Sequence, residues 1–208
     1  MTHLKLNLGS SIQCRDGQCG KLIRVVVDPE AGYVSDIIAA KGIFLKETRI
    51  LPLSVVDYTD ENNLYLSIAS SKLEQYPKYS VTEFKEPVAP AERVAVPNNL
   101  YGAGEPVVPM VKRKIRRGIK TGQTVIKKGM PVNNFNGTVG KVGQVIMDYD
   151  TNKITYLVMY QGLIFTKQLV IPYTVVESIY EDSIFISCTE EALEQLPRYV
   201  PENENHRE

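Results

Sequence analysis

The stretch NGTVGKVGQVIMD, residues 136–148, decides the fold because residues 16–28, DGQCGKLIRVVVD, are a second copy of it. The two copies lie 120 positions apart. At that constant offset residues 17–79 align with residues 137–199 without a gap, and 16 of the 63 pairs are identical. Another 20 of the pairs join two apolar residues. A long, ungapped period of this kind indicates a duplicated structural unit.

The repeat predicts two small domains within the 208 residues. We expect a first domain at 1–79, a linker at 80–118, a second domain at 119–200 and a disordered tail at 201–208. The linker is rich in proline and glycine, which is typical of extended and flexible segments. Each copy is near the lower size limit for a domain that is stable alone. The copies are therefore expected to pack against each other or against a partner.

Turn and strand signals in each copy predict an all-β fold. Asp16-Gly17 and Asn136-Gly137 favour the positive φ angles of a tight hairpin, and the runs beside them are rich in Val, Ile and Tyr. Several short strands separated by turns every 8 to 12 residues or so are typical of a small antiparallel β-barrel. Helix signals at Ser71–Glu74 and after Thr189 predict that a short C-terminal helix closes each barrel.

The strand that begins at Cys19 has a readable alternation. Comparison with the second copy predicts that Ile23, Val25 and Val27 face the core. The alternate positions include apolar Leu22 and Val26. We therefore expect part of the outer face of this strand to be covered as well.

Six residues at matching positions are predicted to shape turns rather than to bind ligands. The glycines could be taken for a phosphate-binding loop, but no helix follows whose N-terminus could hold an anion. An Asp before a turn commonly accepts backbone N–H groups, and we favour this role over a cation site. The six residues are Gly17, Gly20, Asp28, Gly137, Gly140 and Asp148.

The sequence offers few residues for catalysis. The only two histidines, His3 and His206, lie near the chain ends, which argues against a His-based acid, base or triad. No His/Cys cluster has the spacing of zinc ligands. We therefore predict a protein that is not an enzyme and holds no metal or cofactor.

Cys14 and Cys19 flank the first hairpin turn, so a cross-strand disulfide is conceivable. The second copy has Asn134 and Val139 there, and the total of three cysteines is odd, which favours ordinary buried thiols. No apolar run approaches the roughly 20 residues needed to span a bilayer, and the N-terminus lacks the features of a secretory signal. We expect a cytoplasmic, reduced protein without a transmembrane segment.

The formal net charge is zero, but the charges are segregated along the chain. Residues 111–128 carry eight Lys or Arg and no acid, whereas residues 174–208 carry nine acids and two Arg. The densest part of the basic stretch is either a solvated linker end or a binding site for an anionic partner. It lacks the interleaved aromatic residues that stack on bases. This basic cluster consists of Lys112, Arg113, Lys114, Arg116 and Arg117.

The order of these signals resembles the PRC-barrel domain family. In each copy a strand precedes Asp-Gly or Asn-Gly, and Gly-Lys, an apolar strand ending in Asp and a segment of the Pro-Val-Val type follow. The resemblance covers residues 6–79 and 126–199. It implies a tandem of small β-barrels that dock onto other macromolecules without a catalytic set. The transmembrane helix of the photosynthetic reaction-centre subunit and the extra barrel of the ribosome maturation factor are not seen, so neither of those functions is carried over.

The leading functional hypothesis is a non-enzymatic docking or adaptor protein that binds a protein partner through PRC-barrel surfaces. The alternative is an RNA- or ribosome-associated factor whose basic cluster contacts phosphates or another anionic surface. A homo-oligomer is compatible with either hypothesis.

Overall fold

A computed structural model describes residues 3–41, 47–87, 110–162 and 167–200, with the backbone alone at 81–87 and 110–117. Strands dominate this part of the chain, in agreement with the all-β prediction. The first copy contains β1 (His3–Asn7), β2 (Ser11–Cys14), β3 (Gly17–Asp28), β4 (Tyr33–Lys41), β5 (Glu47–Pro52), β6 (Val56–Thr59) and β7 (Asn63–Leu66). Two strands follow, β8 (Ser80–Pro87) and β9 (Met110–Arg117).

The second copy repeats this series. Its strands are β10 (Thr124–Lys127), β11 (Pro131–Asn134), β12 (Gly137–Asp148), β13 (Ile154–Gln161), β14 (Lys167–Pro172), β15 (Val176–Ile179) and β16 (Ile184–Ile186). Short 3-10 helices lie at Leu53–Val55, Ser70–Gln75 and Tyr173–Val175, and helix α1 spans Glu190–Glu194. Within the described ranges, no helix has the length and hydrophobicity needed to cross a membrane.

The chain forms two compact units. One contains the described parts of 1–79 and 118–208, and the other is Ser80–Arg117. The smaller unit is an antiparallel hairpin of β8 and β9, so both ends of the predicted linker are strands. The middle of that linker, 88–109, and the predicted tail lie outside the described residues. The two copies, which the repeat predicts as two domains, share the larger unit.

Reciprocal strand exchange joins the two copies. β1 of the first copy pairs antiparallel with β12, where Leu6 lies opposite Val145. β10 of the second copy pairs antiparallel with β3, where Ile126 lies opposite Val25. The two pairings are equivalent under the 120-residue offset. Each copy therefore completes the sheet of the other.

A second symmetric contact lies where the turns after β3 and β12 meet. The backbone N–H of Val34 donates to the carbonyl oxygen of Asn152, and that of Ile154 donates to the carbonyl oxygen of Gly32, both at 2.9 Å. These four residues are also related by the offset of 120. The two copies are thus related by an approximate twofold arrangement within one chain.

Each copy builds one sheet, and the two sheets have the same strand order. The order is β5-β4-β3-β2-β7-β6 with β10 added to β3, and β14-β13-β12-β11-β16-β15 with β1 added to β12. The prediction of antiparallel pairing throughout is wrong for one pair in each copy. Ile12 of β2 lies opposite Leu64 of β7 in a parallel pair, as does Val132 of β11 opposite Ile184 of β16. The strands from β3 to β6 supply the long connection that a parallel pair requires.

One apolar core runs through both copies and includes the exchanged strands. Leu6 and Leu8 in and after β1, with Ile126 and Met130 in and after β10, are fully buried. Burial of each such side chain stabilises the fold by about 1.5–3 kcal/mol. The exchanged strands are therefore held by packing as well as by backbone hydrogen bonds.

The core-facing positions of β3 differ from prediction at one point. Val25 faces the shared core as predicted, but Ile23 lies outside it and Leu22 lies within it. The pairing with β4 shifts register between Leu22 and Arg24, and a bulge of this kind reverses the alternation of side chains. Val26 is buried on the opposite face in a second apolar cluster, so this outer face is covered as expected.

The strand exchange predicts the behaviour of a single copy. In a protein of residues 1–79, β3 lacks β10 and β1 lacks β12, so two chains should exchange β1 strands and form a dimer. A double change of Leu4 and Leu6 to Lys should abolish the dimer and leave a poorly folded chain, because those side chains fill the core. Size exclusion with light scattering measures the mass. A monomer of residues 1–79 that melts like the full chain would contradict the exchange.

Candidate functional site

The turn residues of both hairpins lie one position earlier than predicted. The turns are residues 15–16 and 135–136, and Gly17 and Gly137 open the following strands opposite Cys14 and Asn134. Gly17 has a φ of 122° and Gly137 a φ of 126°. Glycine adopts a positive φ without a Cβ clash, so it can follow a two-residue turn directly while the strands stay paired.

Gly20 and Gly140 lie inside β3 and β12, so their assignment to turns is corrected. A Cβ atom at Gly20 would lie 2.6 Å from the carbonyl oxygen of Ala40, and one at Gly140 would lie 2.7 Å from that of Tyr160. Glycine is needed at these places because the neighbouring strand comes too close for a side chain.

Asp28 and Asp148 use their carboxylates within turns. Oδ1 of Asp28 accepts the backbone N–H groups of Glu30 at 3.1 Å and Ala31 at 2.9 Å. Oδ1 of Asp148 accepts the hydroxyl of Thr151 at 2.7 Å and its backbone N–H at 2.8 Å, and these bonds lower the pKa of Asp148. No group of three or more His, Cys, Asp or Glu that could hold a metal occurs in the described part of the chain.

The glycine geometry predicts that valine is costly directly after each hairpin turn. Gly17→Val and Gly137→Val should each destabilise the protein by roughly 1–3 kcal/mol, because a β-branched residue is strained at positive φ. Gly17→Asn, the control, should cost less because Asn tolerates this region better. Thermal unfolding of the four proteins measures the effect. Unchanged melting of both valine variants would show that φ is not positive there.

Cys14 and Cys19 form a disulfide across the first hairpin, so the expectation of ordinary thiols at these positions is wrong. Their Cα atoms are 5.8 Å apart. The register shift between Ile12 and Gln13 makes Cys19 the extra residue of the bulge opposite β2. The second copy replaces the bond with a buried amide, since Nδ2 of Asn134 donates to the carbonyl oxygen of Cys188 at 3.1 Å. Cys188 itself is a buried free thiol whose pKa is raised by burial.

Because the disulfide closes a loop in the chain, its reduction should lower the melting temperature of the protein. Closing so short a loop is worth about 2 kcal/mol in the chain-entropy treatment, so reduction should lower Tm by roughly 4–8 °C. The double variant Cys14→Ser with Cys19→Ser should melt at the same temperature with and without reductant, and Cys188→Ser should respond like the wild type. Differential scanning calorimetry with and without dithiothreitol makes the comparison. Equal melting of oxidised and reduced wild type would exclude a stabilising bond.

The basic cluster lies on β9, which pairs with β8 along its length. In this ladder Lys112 lies opposite Lys85, Lys114 opposite Glu83 and Arg116 opposite Val81. A run dense in Lys and Arg is a weak strand signal, which is why the sequence predicts the end of a linker here. In the structure all five residues lie on one strand of the hairpin unit.

An open groove of about 900 Å³ lies in the second copy. We call it the β14 groove. Apolar side chains of Val139, Leu169, Leu193 and Leu196 line it, and the charged residues around them are Lys141, Lys167, Arg198, Glu190 and Glu194. No local sequence pattern indicates this surface, because its residues come from separate parts of the second copy, including α1 and the segment after it.

The equivalent place in the first copy is bridged by its own side chains. Nζ of Lys41 lies 3.3 Å from Oε1 of Glu74. Arg49 donates from Nη1 to the carbonyl oxygen of Tyr76 at 3.1 Å and lies 3.9 Å from Glu47. The second copy has Gln161, Leu169 and Lys167 at the positions of Lys41, Arg49 and Glu47. These three changes remove the bridging pairs, add an apolar side chain and make the rim more basic.

Two exposed aromatic pairs occur on the β7 and β16 side of the copies. Tyr58 stacks on Tyr65 with ring centroids 4.2 Å apart. Phe135, which is 77% exposed, contacts Phe185 edge-on with centroids 5.1 Å apart. Tyr65 and Phe185 are equivalent positions, so each copy presents an aromatic surface with a different second ring.

Comparison with known protein families finds a match in the second copy. Residues 128–193 match the family model of the PRC-barrel domain. The matched range contains β11 to β16 and most of the β14 groove. A search of curated proteins found no match to the chain.

Proposed function

We propose that this chain is a non-enzymatic docking protein that binds another macromolecule through the β14 groove of its second copy. The observation that carries this proposal is the contrast between the copies. The first copy bridges the equivalent place with the Lys41–Glu74 pair and with Arg49, whereas the second copy leaves an open groove lined by apolar and charged residues. A concave apolar surface with a polar rim is a common form of interaction site.

The partner that fits this groove is a protein segment with apolar side chains beside acidic groups. Val139 and Leu196, which are only partly buried, would pack against its apolar side chains, which would supply most of the affinity. Lys167 and Arg198 on the rim would face its acidic groups. Exposed ion pairs add little affinity, commonly under about 1 kcal/mol, so the rim would set orientation and rate of association.

We further propose that both copies are PRC barrels and that the short helical segments after β7 and β16 cover their ends. The equivalent strand order of the two sheets and the buried Leu73 and Leu193 support this.

We also propose a cytoplasmic location, and the Cys14–Cys19 bond provides its test, since disulfides are rare in the reducing cytosol. In the reducing cytosol the Cys14–Cys19 bond of the structure should open, so alkylation of free thiols during lysis of the native cell should find these two cysteines reduced. An oxidised pair would indicate an oxidising compartment.

The docking proposal is tested by changing the groove and its counterpart in parallel. Tagged wild type recovers partners from the native cell, and mass spectrometry quantifies them. The double variant Lys167→Glu with Arg198→Glu, and separately Leu196→Glu, should lose the partner at least tenfold. Lys78→Glu, at the position in the first copy that corresponds to Arg198, is the matched control and should retain it. A partner recovered equally by both groove variants binds elsewhere, which would overturn the proposal.

The basic cluster supports a second candidate function, association with RNA or a ribosome. Five basic residues on one strand could neutralise several phosphates. Each phosphate contact on a single strand should contribute about 0.7 to the slope of log affinity against log salt. Changing all five residues to Ala should abolish RNA binding and the salt dependence, measured by fluorescence anisotropy. Retained binding would exclude this cluster as the site.

A further inference from the structure

A small pocket of about 170 Å³ lies where the first copy meets the sheet of the second. The exchanged strand β1 and the turn between β6 and β7 form one side of it. Strands β12, β13 and β14 and the segment after α1 form the other. The pocket is distinct from the β14 groove except for Tyr160, which lines both. Its other polar side chains are those of Asn7, Glu61, Asn62, Gln144, Gln168 and Tyr199.

Several polar side chains in this pocket have no hydrogen-bond partner among the described residues. Gln144 is the clearest example, because the residue is only 6% exposed and its amide forms no hydrogen bond with another described residue. The same holds for the amide of Gln168 and for the phenols of Tyr160 and Tyr199. None of these amide atoms is fully buried, so they open into the pocket, where a polar guest can hydrogen-bond to them.

Gly143 gives the pocket its aromatic wall. A Cβ atom at Gly143 would lie 1.8 Å from Cε2 of Tyr160, so the tyrosine ring occupies the space above this glycine. In the first copy the equivalent residues are Ile23 and Ala40, with the large side chain on the other strand. Burial raises the pKa of Tyr160, and Tyr199 adds to the effect, which places the two phenols near each other.

The equivalent place in the other half of the molecule carries charged side chains. Nζ of Lys127 lies 3.0 Å from Oδ1 of Asp182. The guanidinium of Arg24 lies over the ring of Tyr79, 5.3 Å from its centroid. The pocket has Asn7, Asn62 and Gln144 at the positions of Lys127, Asp182 and Arg24. Three charged side chains are thus replaced by three amides, of which that of Asn7 donates from Nδ2 to the carbonyl oxygen of Glu61 at 2.9 Å.

We propose that this pocket binds a small, uncharged, polyhydroxylated ring, either a single sugar or a cyclitol. Amides and phenols offer both donors and acceptors, as a set of neighbouring hydroxyls requires. The rings of Tyr160 and Tyr199 provide flat apolar surfaces for the C–H faces of such a ring. No Lys or Arg lines the pocket, so an anion would lack a counter-charge. The volume is below the roughly 300 Å³ typical of drug-sized ligands, so one ring is the fitting size.

Binding is measured on the full-length protein by ¹H–¹⁵N NMR, with the side-chain amides of Gln144 and Gln168 as reporters. The probes are glucose and maltotriose, titrated to about 20 mM, because a free ring and the end of a glycan present the same hydroxyl chemistry. We expect saturable shifts of both amides with a dissociation constant near 1 mM, about −4 kcal/mol. Tighter binding of maltotriose indicates a glycan end, and tighter binding of glucose a free ring. Absence of shifts with both probes, or shifts with choline chloride alone, overturns the proposal.

Two variants separate binding from folding. Gln144→Arg recreates the arrangement of Arg24 over Tyr79 and should close the pocket, with a loss of at least tenfold in affinity and unchanged melting. Gln168→Ala, a half-buried position, should weaken binding severalfold. Arg24→Gln, the matched change outside the pocket, should leave affinity unchanged. If Gln144→Arg folds and still binds the sugar with wild-type affinity, the site lies elsewhere.

Discussion

The reciprocal pairing of β1 with β12 and of β10 with β3 is the interaction on which the rest of the structure depends. A strand pair of this kind combines a ladder of backbone hydrogen bonds with burial of alternate side chains, and here Leu6 and Ile126 enter a common core. A copy of about 75 residues buries a limited fraction of its surface. The exchange solves this problem because each copy covers the other and the two share one apolar core.

The two copies differ at equivalent surfaces although they share one fold. Both belong to one folding unit with a common core, so the surface residues of either copy can change without loss of that core. The first copy retains bridging pairs such as Lys41–Glu74, while the second copy has an open groove around Leu169. The pocket around Gln144 and its counterpart around Arg24 show the same division. In both cases charged side chains that pair internally in one half are replaced by uncharged ones in the other.

The disulfide and the glycines show that equivalent positions of the two copies can share a backbone geometry and still differ in chemistry. Gly17 and Gly137 have the same positive φ, whereas Cys19 and Val139 at the following bulge differ in chemistry. The bulge places an extra residue beside the strand end, and in the first copy a cysteine there reaches Cys14. The backbone irregularity is common to both copies, but only one uses it for a covalent bond.

By itself, the sequence determined the all-β class, the duplication, the hairpins and the turn roles of Asp28 and Asp148, because these follow from short-range patterns and from the fixed offset. The tertiary structure decided which strands pair, since backbone ladders are largely indifferent to sequence and β1 has an apolar face that suits either β3 or β12. It also decided that Leu22 faces the shared core, because the bulge that reverses the alternation of side chains cannot be recognised from the residues themselves. The β14 groove and the Gln144 pocket join residues far apart in the chain, so no local pattern could reveal them.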